Sequence, residues 1–177
     1  MVYIAVFAAL IAIGAFIRIP FGLVPATLQT AFVMMAGLAL GPTKATVSVL
    51  IYLALGLAGL PIFTAGGGFD YIFYPTFGYL LGFVFAAWMT GFLFRKFKQK
   101  TLFAAVCAGL AGVFAVYLIG LPYLYLIKNI YFNTPIGVNV LFVQCFLIFL
   151  PGDLLTMFLS ATLVIRLQKI KGLFDNI

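Results

Sequence analysis

Thr101–Ile127 reads TLFAAVCAGLAGVFAVYLIGLPYLYLI, 27 consecutive residues without a charge. An α-helix needs ~17–25 apolar residues to cross the hydrocarbon of a bilayer, so this segment alone is long enough. It is not isolated. Further charge-free runs occupy 1–17, 19–43, 45–69 and 71–94 before it, and 129–152 and 154–165 after it. Of the 177 residues 66% are hydrophobic, 18% aromatic and 7% charged. An ordinary soluble domain is roughly 45–50% apolar and about 25% charged. Ten basic and three acidic side chains cannot cover a soluble surface. A soluble enzyme, a disordered chain and a disulfide-framed scaffold are therefore excluded, and an all-α integral membrane domain over 1–177 remains.

Helix breakers divide the runs. Pro20 and Pro25 delay the second helix to about Ala26, and Leu60-Pro61 with Gly66, Gly67 and Gly68 ends the third near position 60. Pro151-Gly152-Asp153 splits the last long stretch. The expectation is six crossings at about 2–17, 26–41, 43–60, 76–95, 101–122 and 151–168, with an extra apolar segment at about 137–149. Residues 1–17 lack a basic start and a small-residue cleavage site, so they read as a first helix and not as a signal peptide.

Loop charges orient this bundle. Lys44, Arg95, Lys96, Lys98, Lys100, Arg166, Lys169 and Lys171 fall on one side, eight of the ten basic residues. Only Arg18 and Lys128 fall on the other. Basic loops stay in the cytoplasm, which places both termini there and the first, third and fifth loops outside. The net charge of +7 belongs to these flanks, so it reads as a lipid-headgroup signature and not as a nucleic-acid surface.

The sequence holds little chemistry. There is no histidine or glutamate, and Cys107 and Cys145 have no ligand-spaced partners. That leaves no metal site, cofactor site or nucleophile to assemble, so an enzyme is not expected. No Walker A motif is present. The missing chain of intramembrane acids argues against a self-sufficient ion-coupled carrier. A structural subunit without a ligand stays open.

Three features carry functional promise. Asp153 follows Pro-Gly inside an apolar run at the start of the last helix. Such an acid either caps the helix or marks a ligand site, and both readings stand. The outer loops, around Arg18 to Thr30 and Pro61 to Tyr79, are aromatic, glycine-rich and too apolar for ordinary solvated loops. They form either a pocket wall or an aromatic belt at the interface. Gln29, Tyr79, Asn139, Gln144 and Asp153 are the polar candidates, with Phe63, Phe69 and Tyr71 as walls. Ala5, Ala8, Ala9 and Ala12 make a small-residue stripe on the first helix, suited to internal packing or to docking a second membrane subunit. Gly37-xxx-Gly41 and Gly78-xxx-Gly82 suit packing inside the bundle.

Four segments together resemble one family. They are Val24-Pro-Ala-Thr-Leu-Gln-Thr30 with the helix ending at Gly41-Pro42; Tyr52-Leu-Ala-Leu-Gly-Leu-Ala-Gly-Leu-Pro61 with its glycine run; Pro75-Thr-Phe-Gly78-Tyr79-Leu-Leu-Gly82; and Phe149-Leu-Pro-Gly-Asp153. In this order they resemble BioY, the biotin-specific S component of energy-coupling factor (ECF) transporters. The resemblance implies a six-helix capture subunit in the prokaryotic plasma membrane. Its substrate is biotin, and its partners are a transmembrane T component and two ATPases that supply the energy. It also implies that Asp153 accepts from the biotin ureido N–H groups, that Gln29, Tyr79 and Gly66–Gly68 line the site, and that the alanine stripe contacts the T component. Thr156 stands where the family commonly has Lys, and Asp70 where a neutral residue is usual. Arg18 or Lys128 is then the candidate partner for a ligand carboxylate. Lipoate or another small heterocycle is the alternative cargo.

Overall fold

The computed structural model describes residues 1–20 and 24–169; Lys171 of the C-terminal basic cluster and positions 21–23 of the first loop lie outside them. The chain begins with α1 (Val2–Phe16), then a two-stranded antiparallel hairpin of β1 (Arg18–Ile19) and β2 (Ala26–Thr27). Helices α2 (Gln29–Leu40) and α3 (Pro42–Leu57) follow. A loop with one 3₁₀ turn (Phe69–Phe73) leads to α4 (Phe77–Lys96) and α5 (Leu102–Leu126), which continues as a π-helical segment to Tyr131. Short α6 (Val138–Phe142), a second π segment (Val143–Leu147) and α7 (Leu150–Lys169) close the fold.

Three boundaries differ from expectation, each for a local reason. Helix α2 starts at Gln29 and not at 26, because Ala26 and Thr27 pair with Ile19 and Arg18 instead. Pro122 does not end α5. A proline removes one ladder hydrogen bond, and in apolar surroundings neighbouring turns tolerate that loss. At Pro151 the last helix begins where expected, with α7 starting at Leu150, but no break separates it from the apolar segment before it. The π segment hands over through Ile148 N–H to the Val143 carbonyl and Phe149 N–H to the Phe146 carbonyl. The ladder shifts register around the proline without breaking, so the apolar segment near 137–149 belongs to one helical stretch, Val138–Gln168.

Among the described residues this gives six helical rods. Phe77–Lys96, Leu102–Tyr131 and Val138–Gln168 are long and apolar enough to cross a membrane, whereas Val2–Phe16, Gln29–Leu40 and Pro42–Leu57 are shorter. The twelve residues of α2 rise only ~18 Å, less than the ~30 Å hydrocarbon. Burial resolves the mismatch. Nine of those twelve residues are buried, and α2 packs on α1, α3, α4 and α7. A helix enclosed by protein need not match the bilayer.

Apolar side chains gain little by leaving lipid for a protein core, so close backbone approach holds membrane helices together. Gly82 and Gly37 show how this bundle achieves it. A Cβ on Gly82 would stand 2.8 Å from the Val116 carbonyl oxygen, where α4 meets α5. One on Gly37 would stand 3.0 Å from the Ala87 carbonyl oxygen, where α2 meets α4. Gly78 packs against the Tyr123 side chain. The alanine stripe divides: Ala8 is buried, Ala12 half-buried, and Ala5 and Ala9 are exposed.

The ends of the bundle differ in chemistry. At one end Arg95 donates to the Leu40 carbonyl (3.2 Å), and Lys100 Nζ caps α4 through the carbonyls of Phe94 (2.6 Å), Arg95 (3.0 Å) and Phe97 (2.8 Å). Desolvation, with the nearby Arg95 charge, lowers the Lys100 pKa from its ordinary value. Both cavities described below lie at the other end.

Candidate functional site

The β-hairpin, the first turns of α2, α4 and α7, and the C-terminal half of α5 converge at that end. They surround a half-open space of about 520 Å³, open solvent included, bounded by Val24–Thr27, Gln29, Thr30, Thr64, Thr76, Tyr79, Leu80, Phe83, Val116, Tyr117, Phe149 and Asp153. A second cavity of about 560 Å³ adjoins it beside the end of α1, bounded by Ile17, Ile19, Ala26–Leu28, Phe149, Gly152, Asp153 and Thr156. Ala26, Thr27, Phe149 and Asp153 bound both. These walls are apolar with a few convergent polar groups, the usual make-up of a small-molecule site.

Asp153 is the site's one charge: among the described residues neither cavity is bounded by Lys or Arg. It occupies the first turn of α7, but its carboxylate turns away from the helix. Tyr117 on α5 donates to Oδ2, and Thr30 at the start of α2 also reaches the carboxylate. Capping is thus not its visible role. Its own N–H is already satisfied by the Phe149 carbonyl (2.9 Å). Thr156 donates its hydroxyl to the Asp153 carbonyl (3.2 Å) while its side chain bounds the second cavity.

Gln29 and Tyr79 bound the main cavity with their polar ends engaged. Gln29, 2% exposed, donates from Nε2 to the Tyr52 hydroxyl (2.8 Å) and accepts from Thr27 Oγ1 (3.2 Å). Tyr52 passes the connection to the Ile62 carbonyl (3.2 Å). Gln29 thereby ties the start of α2 to α3 and to the loop after it. Tyr79 donates to the Cys145 carbonyl (3.2 Å) in the second π segment.

The loop between α3 and α4 folds into the bundle end. Phe63 is 2% exposed, edge-on to Tyr52 (5.3 Å between centroids) and against Tyr71 (4.6 Å). The Tyr71 hydroxyl hydrogen-bonds with Thr64 Oγ1 (2.8 Å) and Thr76 Oγ1 (3.1 Å). Phe63 and Tyr71 therefore stand one layer behind the cavity wall, and the two threonines reach it. Gly66 and Gly68 take positive φ (+119° and +106°) where the loop reverses, and an added Cβ on Gly67 would meet the Leu60 carbonyl. None of the three glycines bounds either cavity. Arg18 is exposed and donates to the Thr64 carbonyl, strapping the hairpin to this loop. Phe69, Asp70, Asn139 and Gln144 are exposed, and Lys128 lies in the first π segment, so the structure does not bring these five to the cavities.

Tyr117 is the residue that sequence reasoning missed. A buried tyrosine hydroxyl needs a partner, and this one lies mid-span in the most apolar of the three long helices. Its partner is 36 residues away, beyond any local pattern.

The family model for the BioY family matches residues 1–172. The chain belongs to the BioY family. A probable biotin transporter BioY of Lysinibacillus sphaericus is 41% identical over 170 residues, covering 96% of this chain and 87% of that protein. The biotin transporter BioY of Thermotoga maritima is 35% identical over 168 residues, covering 94% of each. A crystal structure of the S-component for biotin from an ECF-type ABC transporter superposes with a TM-score of 0.85 at 35% identity, covering 98% of this BioY-family chain and 92% of that one. At that identity and coverage the likeness extends beyond the fold to a shared family of membrane transport proteins.

Proposed function

We propose that this BioY-family chain is the substrate-capture subunit of an ECF-type transporter and binds biotin in the cavities around Asp153. The observation that carries the reading is a single carboxylate, held by Tyr117 from another helix, in a cavity whose described lining is otherwise uncharged. A carboxylate offers about four lone-pair positions. Those left over by Tyr117 and Thr30 accept the two ureido N–H groups of biotin. Lipoate, whose dithiolane ring carries no N–H donor, has nothing to give Asp153. Leu80, Phe83, Val116 and Phe149 bury the bicyclic ring and the chain. Arg18, outside the cavities but hydrogen-bonded to the backbone of the cavity-lining Thr64, supplies the cation for the ligand carboxylate at the mouth.

The site and the basic end lie at opposite ends of α2, α4 and α7. With the basic loops and both termini in the cytoplasm, the site faces out. The chain performs no bond chemistry. Translocation is driven by two ATPases through a T component, which docks on the exposed Ala5–Ala9 face of α1; Ala8 serves the bundle interior. A thermal-shift screen of the purified protein with biotin, lipoate and other vitamins tests this reading. Biotin alone is expected to stabilise it, and stabilisation by lipoate or by no vitamin overturns it.

A further inference from the structure

Tyr117 touches Asp153, and its ring is fixed from two sides. The Tyr79 ring stands perpendicular to it (87°, 6.2 Å between centroids), as does the Phe146 ring (87°, 4.9 Å). These contacts come from α4 and the second π segment, so two elements besides α5 set where the Tyr117 hydroxyl points. By contrast, the last torsion of an aspartate is broad and weakly held. Without partners the Asp153 carboxylate would be free to turn about that torsion.

We propose that Tyr117 is a positioning residue for ligand recognition: by holding Oδ2 of Asp153 it fixes the carboxylate plane, so that the remaining lone pairs meet a cyclic urea in one orientation. Thr30, reaching the same carboxylate from α2, is the second point of support. Selectivity for N–H donors therefore resides in the Tyr117–Asp153 pair and not in Asp153 alone. This rests on the biotin reading above.

The test compares biotin with a biotin analogue methylated at one ureido nitrogen, measured by calorimetry on wild type, Tyr117→Phe and Thr30→Val in detergent. Phenylalanine keeps the ring and both perpendicular contacts and removes only the hydroxyl. Tyr117→Phe is expected to weaken biotin about 5–30-fold and the methylated analogue less than about 2-fold, narrowing the discrimination between them. Thr30→Val is expected to act in the same direction with a smaller effect, and it carries the test if Tyr117→Phe does not fold. Equal losses for both ligands mean that the variants change cavity shape and not carboxylate orientation, which overturns the proposal, as does unchanged biotin affinity. Failure of the wild type to bind biotin is a separate outcome; it overturns the biotin reading together with this inference.

Discussion

Removing one oxygen atom, by Tyr52→Phe, strands two groups at once. Tyr52 is 0% exposed, its hydroxyl accepts from Gln29 Nε2 at 2.8 Å, and it donates to the Ile62 carbonyl at 3.2 Å. Phenylalanine fills the same space, so no cavity term arises. The cost is that of leaving a buried amide N–H and a half-buried carbonyl without partners, about 1–3 kcal/mol each. Ile62 retains some solvent access, so the sum falls to about 2–4 kcal/mol. Gln29→Leu is the control. It removes the amide itself, leaves Tyr52 bonded to Ile62, and frees the half-buried Thr27 hydroxyl to find water. Its cost is about 1 kcal/mol. Both variants are unfolded reversibly in mixed micelles by denaturing detergent. The larger loss is expected for the smaller chemical change. If Gln29→Leu is the more destabilising of the two, or Tyr52→Phe is as stable as wild type, the network does not tie α2 to the following loop as described.

Gly82→Val pushes two methyl groups and a Cβ against the Val116 backbone, which cannot give way. A loss of about 1–3 kcal/mol is expected, read as a lower melting temperature in detergent. Ala9→Trp is expected to abolish assembly with the T component and ATPases while sparing biotin binding, read by co-purification and calorimetry on the same preparation. Ala8→Trp, at a buried position one residue away, is instead expected to destabilise the subunit itself. Equal assembly by the Ala9 variant and the wild type contradicts the docking face.

The rods were legible in the sequence because lipid imposes a simple rule: few charges and enough length. The runs around Phe77–Lys96 and Leu102–Leu126 follow that rule directly. Pro122 was misleading, because a proline's cost depends on whether neighbouring turns can absorb the lost hydrogen bond. At Pro151 the start of α7 was legible, and only its continuity with the preceding segment, through the π turn before Leu150, was not. The hairpin was invisible, since two residue pairs leave no periodicity. In the site, Asp153 was legible through its rarity and Gln29 through its motif. Phe63 and Tyr71 were placed one layer too far forward, because aromatic composition does not reveal which ring faces a cavity and which supports the loop behind it. Gly66–Gly68 shape a loop reversal, a backbone task that looks the same in sequence as a ligand cradle. Tyr117 was out of reach because its meaning lies in a pairing between α5 and α7.

The central claim is that one carboxylate at the end of this bundle recognises the ureido group of biotin. Calorimetric titration of wild type and Asp153→Asn with biotin tests it most directly, with melting temperatures measured beside it. Asparagine keeps the shape but replaces a charged acceptor pair with an amide. Biotin binding is expected to weaken about 10–100-fold, since a hydrogen bond to a charged group contributes about 1.5–3 kcal/mol, while the fold is retained. Asp153→Asn binding biotin with wild-type affinity would contradict the account.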